Sequence, residues 1–578
     1  MAIAGRFQAV PHRAGWWLVL LFGGSLHLCA GSARSQPPPG ALPPRMQPTD
    51  ASTYYGANSD QLPPPSQVRP PLVSGAFAKG AAAEPLPDGP ANALEARLRE
   101  LEEQFDEQRF QMEVLRQQLT DEREAREAAT QAAAAEKAAA QAAAQKGYTV
   151  GSDPRMNGAW QNGMTFGSPN RDFWFHVGGR TQLDFVGLQA PGNSLAGAGG
   201  VGAQDAVDFR RARIRVEGTM YEVIDWCCEY NFVGAANLST PNPATIGSVA
   251  DVPAPTDLWW NFRRVPLIGN FTMGNIKEPF GLEHLTSSRF LNFMERSFSQ
   301  DAFIAPSNNG FAPGLLVWNY AENRRMTWAA GLFKNVLFNP FAFGVGDGDY
   351  AADGRVTFAP YYDEASNGRY VWHVGLGGSY RANQGNQMRF RARGDLRNGP
   401  DALNPVWADT GIYRSANEAI IDPETLLIWG PWYVQAEYTR VWATQSYNGN
   451  VPIGTTSYSG YYVEVLYFLT GEHRIYDYQK GLVGRVIPFE NAAVVRGANG
   501  RPMFLSGAWQ IGVRYNYLDL NSKTINGGQL RDVVLGLNWF LNPNMKLQWN
   551  VTLAHRDGQN NSAHGDIYGF GMRVAHDF

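Results

Sequence analysis

Arg211, Arg213 and Arg215 alternate along one stretch of the chain, with Glu217 in the same phase. The interleaved residues are Ala212, Ile214, Val216, Gly218 and Met220. Successive side chains on a strand point to opposite faces, so 206–220 carries one basic face and one apolar or small face. A guanidinium row holds no nucleophile and no general base. Its chemistry is electrostatic: it concentrates anions beside it and disfavours cations. Arg389, Arg391 and Arg393 repeat the device on a segment that reads as a later strand. Lumenal acids such as Glu217 and Glu229 are the expected partners for part of that charge.

Motifs for covalent or metal chemistry do not appear. The sequence has no Gly-x-Ser-x-Gly, no His-Glu-x-x-His and no P-loop. Its 9 histidines are scattered. Asp347, Asp349 and Asp353 sit in a Gly-rich turn without the rest of an EF-hand, and read as a plain loop tip. Of 3 cysteines, Cys29 falls in a leader-like segment, while Cys227 and Cys228 are adjacent small apolar residues with no zinc spacing. No catalytic residue, metal or cofactor is expected. A net charge of −4 gives no sign of nucleic-acid binding.

The element that must carry such a row is a barrel strand. A charge on a lipid-facing strand costs about 2–4 kcal/mol near the bilayer midplane, so the arginines must face a lumen. From about Phe173 onward, segments of roughly 8–16 residues alternate in polarity between Gly, Asn, Asp and Pro clusters. The clear ones are 172–188, 206–222, 225–234, 256–265, 369–381, 386–395, 431–443, 457–470, 507–520, 528–541, 544–556 and 564–578. Weaker ones are 269–276, 313–321, 325–333, 354–361 and 417–430. That makes about 17, whereas single-chain bacterial barrels use even numbers, so about 16 strands are expected, with 18 as second choice. The last segment runs apolar or aromatic at alternate positions through Tyr568, Phe570, Met572, Val574, His576 and Phe578, with Arg573 and Asp577 on the other face. It resembles the Phe-ending signal that outer-membrane barrels present to their assembly machinery. Its closing partner is the strand near Phe173. Aromatics at 12% and only 18% charged residues suit a barrel with aromatic girdles better than a soluble sandwich or propeller.

The first 33 residues read as a secretory signal: Arg6, His12 and Arg13, an apolar run from Trp16 to Cys29, then Ala30, Gly31, Ser32 and Ala33. Leu26-His27-Leu28-Cys29 is a poor lipobox. Residues 34–92 are a Pro-rich tether. In 93–146, Leu98, Leu101, Phe105, Met112, Leu115 and Leu119 follow a four-then-three spacing, which predicts about four heptads of coiled-coil helix. A linker, 147–170, leads into a barrel domain, 171–578.

Several segments resemble the phosphate-selective porin O and P family. They are Phe209-Arg210-Arg211-Ala212-Arg213 followed by Glu217-Gly218, the long run Gly274–Ser297, Gly354–Pro360 and Trp539–Asn544. The resemblance covers most of 170–578. It implies an outer-membrane barrel, usually a homotrimer, with a loop folded into the pore. Lys277, Glu283, His284, Ser287, Ser288, Arg289, Glu295 and Arg296 fall in the matching loop region and are the expected constriction. Without the resemblance, 277–311 is too long for a periplasmic turn, and Phe280, Phe290, Phe293, Phe298 and Phe303 need burial. Folding into the lumen supplies it; packing on a neighbouring subunit is the alternative.

The expected function is passive diffusion of small hydrophilic solutes across the outer membrane, with a mild preference for anions, phosphate among them. The rivals are an envelope tether anchored by its barrel and a barrel lipase, for which no nucleophile motif exists. Expected partners are outer-membrane lipids, the barrel assembly machinery, small inorganic or organic anions and further copies of the chain, with the coiled coil in the periplasm.

Overall fold

The computed structural model describes residues 149–578 apart from 199–201, 240–248, 305–309, 336–342, 398, 400–402, 497–501 and 559–562, with a few helical residues between 97 and 116. Among the described residues, sixteen strands close into one antiparallel barrel. In chain order they are β1 (Trp174–Gln189), β2 (Ala206–Met220), β3 (Ile224–Ser239), β4 (Val249–Val265), β5 (Gly269–Lys277), β6 (Phe311–Tyr320), β7 (Met326–Lys334) and β8 (Tyr350–Tyr362). Then follow β9 (Tyr370–Ala382), β10 (Asn417–Trp429), β11 (Trp432–Asn448), β12 (Val451–Phe468), β13 (Ala508–Ser522), β14 (Ile525–Asn542), β15 (Met545–Asp557) and β16 (His564–Asp577).

The alternation that predicts the strands also turns the barrel inside out relative to a soluble protein. In β13, Ile511, Val513 and Tyr515 point outward and are 43%, 40% and 38% exposed, while Gln510, Arg514 and Asn516 point inward and are buried. An apolar outer wall with satisfied strand edges is what a bilayer requires. Among the described residues no helix is long and apolar enough to span a membrane; the strands do the crossing.

Closure falls where the last segment predicts it. β16 pairs with β1 from Tyr568↔Gln189 to Asp577↔Arg180. The Phe578 N–H then donates to the Gly179 carbonyl at 3.1 Å, and the Gly179 N–H donates back to Phe578 O at 2.8 Å. A Cβ on Gly178 would meet Phe578 O at 2.4 Å, and one on Gly179 would meet the Arg213 carbonyl at 2.5 Å. The glycine pair is what lets the chain end approach so closely. β16 leaves the start of β1 unpaired, and a hairpin of Asn157–Trp160 with Met164–Gly167 covers Trp174–Val177 instead. That edge would otherwise be bare.

Segment 386–395, expected as a strand, does not cross the wall: only Gln387–Met388 joins the barrel sheet, at its edge through Tyr413–Arg414. β9 and β10 pair directly along their lengths, from Tyr370↔Trp429 to Ala382↔Asn417, and leave no place for it. It lies in the connection between them, where Arg391–Arg393 pairs with Val406–Asp409 in a short hairpin. Alternation alone does not distinguish a wall strand from a loop hairpin.

Besides the connection between β9 and β10, whose Phe390, Arg393 and Arg397 meet the inward loop, two long connections turn into the lumen. Residues 278–310 follow β5 and contain the short helix α1 (Leu282–Leu285). Residues 469–507 follow β12, which runs the opposite way, so the two enter from opposite ends. Phe280, Phe290, Phe293, Phe298 and Phe303 are all buried. Phe303 meets Phe390 edge-on at 5.3 Å between ring centroids, and Phe298 lies 6.2 Å from Trp407. The loop aromatics thus find cover in the lumen of their own chain.

Leu98, Leu101, Phe105 and Met112 are helical and exposed. Leu115 and Leu119 lie outside the described residues, as do the leader 1–33 and the tether 34–92.

Candidate functional site

The arginine row of β2 faces the lumen as its alternation predicts. Arg215 reaches Glu217 at 2.7 Å and Asp257 at 2.8 Å, and Arg213 reaches Glu229 at 2.8 Å. β1 adds Arg180, whose guanidinium holds Glu229 at 2.8 Å and the Ser287 hydroxyl at 3.1 Å. Arg180 shares its lumenal face with Gln182 and Asp184, so period-two reading of β1 could have found it.

Arg210 could not be found that way. Opposite Gln182 and Leu183 the register skips from Arg211 to Phe209, leaving Arg210 as the extra residue of a bulge. The bulge turns Arg210 inward beside Arg211. Both reach Glu295 of the inward loop, at 2.9 Å and 3.4 Å. Arg573 of β16 reaches the same carboxylate at 2.8 Å, and Arg397 stands at 3.9 Å. Burial pushes the Glu295 carboxyl up, but Arg210, Arg211, Arg573 and Arg397 outweigh it and hold it well below the usual range. One carboxylate therefore gathers four cations.

Elsewhere wall cations, and Arg474 of the connection after β12, hold the loop by its main chain. Lys277 donates to the carbonyls of His284 and Leu285. Lys546 donates to Leu291 O at 2.8 Å, and Arg514 to Glu295 O at 2.9 Å. Arg573 donates to Met294 O, Arg474 to Phe290 O, and Arg381 to Phe303 O at 3.2 Å. Within the loop, Arg296 donates to Glu283 O at 2.9 Å and Thr286 O at 2.7 Å. Among the described residues, no carboxylate stands at ion-pair distance from Lys277, Arg296, Arg474 or Lys546. A carbonyl satisfies a donor without cancelling its charge, so these four leave a net positive field.

The loop's own groups respond to that field. Burial, with Lys277, Arg296 and Arg381 nearby, holds His284 well below the ordinary histidine range, so it is neutral. Burial and Arg180 bring Arg289 down to about 10. Burial pushes Glu283 up against the pull of Arg514 and Ser297.

The cations line two spaces that share Arg180 in their lining. One, of about 470 Å³ with its solvent, is bordered by Arg180, Arg210, Arg211, Arg213, Lys277 and Arg296, by the Ser287 and Ser288 hydroxyls, and by one carboxylate, Asp257. The other, of about 390 Å³, is bordered by Arg180, Arg289, Arg474, Arg485 and Lys546, with Asp577. Arg180 belongs to both. About half the ring away, β10–β12 carry a group of lumenal carboxyls. Asp422 accepts from the Thr439 hydroxyl at 2.6 Å, Glu437 from the Glu283 N–H at 2.5 Å, and Glu464 from the Asn292 amide at 2.6 Å. On β10, Glu424 is gripped by Arg355 of β8 at 2.5 Å.

The expected constriction residues Lys277, Glu283, His284, Ser287, Ser288, Arg289, Glu295 and Arg296 all come together in the lumen, buried or nearly so. The second arginine row does not join the wall. Arg389 binds Asp409 at the half-exposed hairpin, Arg393 binds Asp301 of the inward loop at 2.7 Å, and Arg391 lies between them. Arg474 and Arg485 lie in a connection, where no periodic signal points to them.

A closed barrel, apolar outside and polar inside, with a loop gripped in its lumen by wall cations, is an outer-membrane porin. Residues 175–576 match the family described as Phosphate-selective porin O and P, and the chain belongs to that family. Porin O of Pseudomonas aeruginosa is 26% identical over 445 residues, covering 72% of this chain and 91% of that protein. An uncharacterized protein of Caulobacter vibrioides is 26% identical over 418 residues, covering 70% and 73%. Among solved structures, an anion-selective porin from Comamonas acidovorans aligns with a TM-score of 0.40 at 9% identity, over 70% of this chain and 100% of that one.

Glu295→Gln leaves four buried guanidinium groups short of their shared counter-charge. Removing one partner of a buried ionic network costs about 3–5 kcal/mol. The expected result is unfolding at lower urea concentration for the refolded barrel in detergent, with Glu295→Asp in between. Unchanged unfolding of Glu295→Gln would contradict the reading.

Proposed function

We propose that this porin is a passive channel for small anions, phosphate-type oxyanions among them. The observation that carries the reading is the run of cations from one lumenal space to the next through Arg180, four of whose neighbours are satisfied by carbonyls rather than carboxylates. An anion entering the lumen meets Arg210, Arg211, Arg213, Lys277 and Arg296, with the Ser287 and Ser288 hydroxyls as neutral donors. It then passes Arg180 toward Arg289, Arg474 and Lys546. The carboxyls of β10–β12 stand on the other side of the lumen, so anions are drawn to the cation-lined wall. Sieving is steric at the inward loop, and no bond is made or broken. The family's description as phosphate-selective supports the oxyanion class. The second arginine row contributes through Arg393, which braces the loop at Asp301, rather than by lining the path.

Phe578 serves as the assembly signal, with outer-membrane lipids around the barrel and the chain assembled as a homotrimer. Residues 1–33 are the leader, 34–92 a tether, and 93–146 a periplasmic coiled coil that ties subunits together, its apolar seam through Leu98, Leu101, Phe105 and Met112 being otherwise exposed.

Reversal potentials in a salt gradient test the channel reading. The wild type is expected to favour anions. Replacing Lys277, Arg296 and Arg474 together with Gln should lower the anion-to-cation permeability ratio several-fold. Cation preference in the wild type, or no change in the triple variant, would overturn it. For the N-terminal segment, deletion of 34–145 should lower the temperature at which the trimer dissociates; an unchanged temperature would refute the bracing role.

A further inference from the structure

The histidines are scattered in sequence, yet strand register brings two of them together outside the channel. β15 and β16 pair His555 with Asp566 and Asp557 with His564. Arg556 between them turns inward and is buried, so the four side chains share the outer face of one hairpin. They stand at the barrel end away from Phe578, past the exposed Tyr568 and Phe570.

The geometry is that of a three-ligand metal site. His555 Nδ1 lies 2.7 Å from Asp566 Oδ1, and Asp566 Oδ2 accepts from the Tyr568 hydroxyl at 3.4 Å. With Nδ1 carrying the proton toward Asp566, the His555 Nε2 lone pair is left facing Asp557 Oδ1 at 3.3 Å. His564 Nδ1 faces the same oxygen at 3.5 Å. The three ligand atoms all lie within 4.8 Å of one another. Ligands bound at about 2.0–2.1 Å around a tetrahedral zinc stand about 3.3–3.4 Å apart, so two edges of the polyhedron are already in place. A carboxylate behind a ligating imidazole, as Asp566 stands behind His555, fixes its tautomer and raises its basicity.

We propose that His555 Nε2, Asp557 Oδ1 and His564 Nδ1 bind one divalent transition-metal ion of the zinc class, with water in the fourth position and Asp566 orienting His555. Two imidazoles and one carboxylate suit zinc and copper rather than calcium or magnesium, which take oxygen ligands. The ion ties β15 to β16 at the outer rim. It is independent of the lumen, so its presence or absence leaves the channel reading untouched.

The test uses the full chain, purified without a polyhistidine tag, in detergent. Titration with zinc chloride alone should give one saturable site per chain. The His555→Gln and His564→Gln variants should each lose it, and Asp566→Asn should weaken it about 10–100-fold. Wild-type chain loaded with one equivalent of copper(II) should show coupling to two imidazole nitrogens by electron paramagnetic resonance. No saturable zinc binding, zinc binding unaltered in the two His→Gln variants, or a copper signal without two nitrogens would overturn the proposal. The resonance measurement needs no variant to fold.

Discussion

Everything inside this barrel depends on cationic side chains of the wall donating to main-chain carbonyls of the inward loop. Lys277, Lys546, Arg514, Arg573 and Arg381 all make such bonds between His284 and Phe303, and Arg474 of the connection after β12 adds one at Phe290. Loop carbonyls inside a lumen have no strand partner, and unpaired they would cost about 1–3 kcal/mol each. Charged donors meet that demand with the stronger kind of hydrogen bond. The same bonds leave much of the charge uncancelled. The device that folds the loop inward is therefore also the device that sets the sign of the lumen.

Glu295 is where the two roles meet. It neutralises part of a cluster formed by Arg210, Arg211, Arg573 and Arg397, and it sits on the loop that the cluster fixes. Asp301 does the same beside Arg393 and Arg397. Burial pushes its carboxyl up, but the two guanidinium groups hold it well below the usual range. Opposite, the acids of β10–β12 are satisfied by hydroxyls, amides and single arginines. The cations and most of the unpaired carboxyls of the lumen thus stand on different sides of it.

The outer shell of this design was legible in the sequence, because lipid on one side and water on the other force period-two alternation along every wall strand. Closure of β16 on β1 and the inward face of Arg211, Arg213 and Arg215 follow from it. The loop's five phenylalanines announced their burial. Three things were not legible. The bulge at Arg210 breaks the alternation it would be read by. Segment 386–395 alternates like a wall strand but is excluded by the direct pairing of β9 with β10. Arg474 sits in an aperiodic connection whose path only tertiary structure sets. The His555–His564 neighbourhood was hidden for a related reason: register between strands, not spacing along the chain, brings the rings together.

The central claim is that wall cations hold the loop inside the lumen. Single-channel conductance of a variant with Arg514 and Arg573 both replaced by Gln tests it most directly. The account predicts a conductance several-fold above wild type, with added flicker as the loop leaves its seat. A quiet channel of wild-type conductance would contradict it.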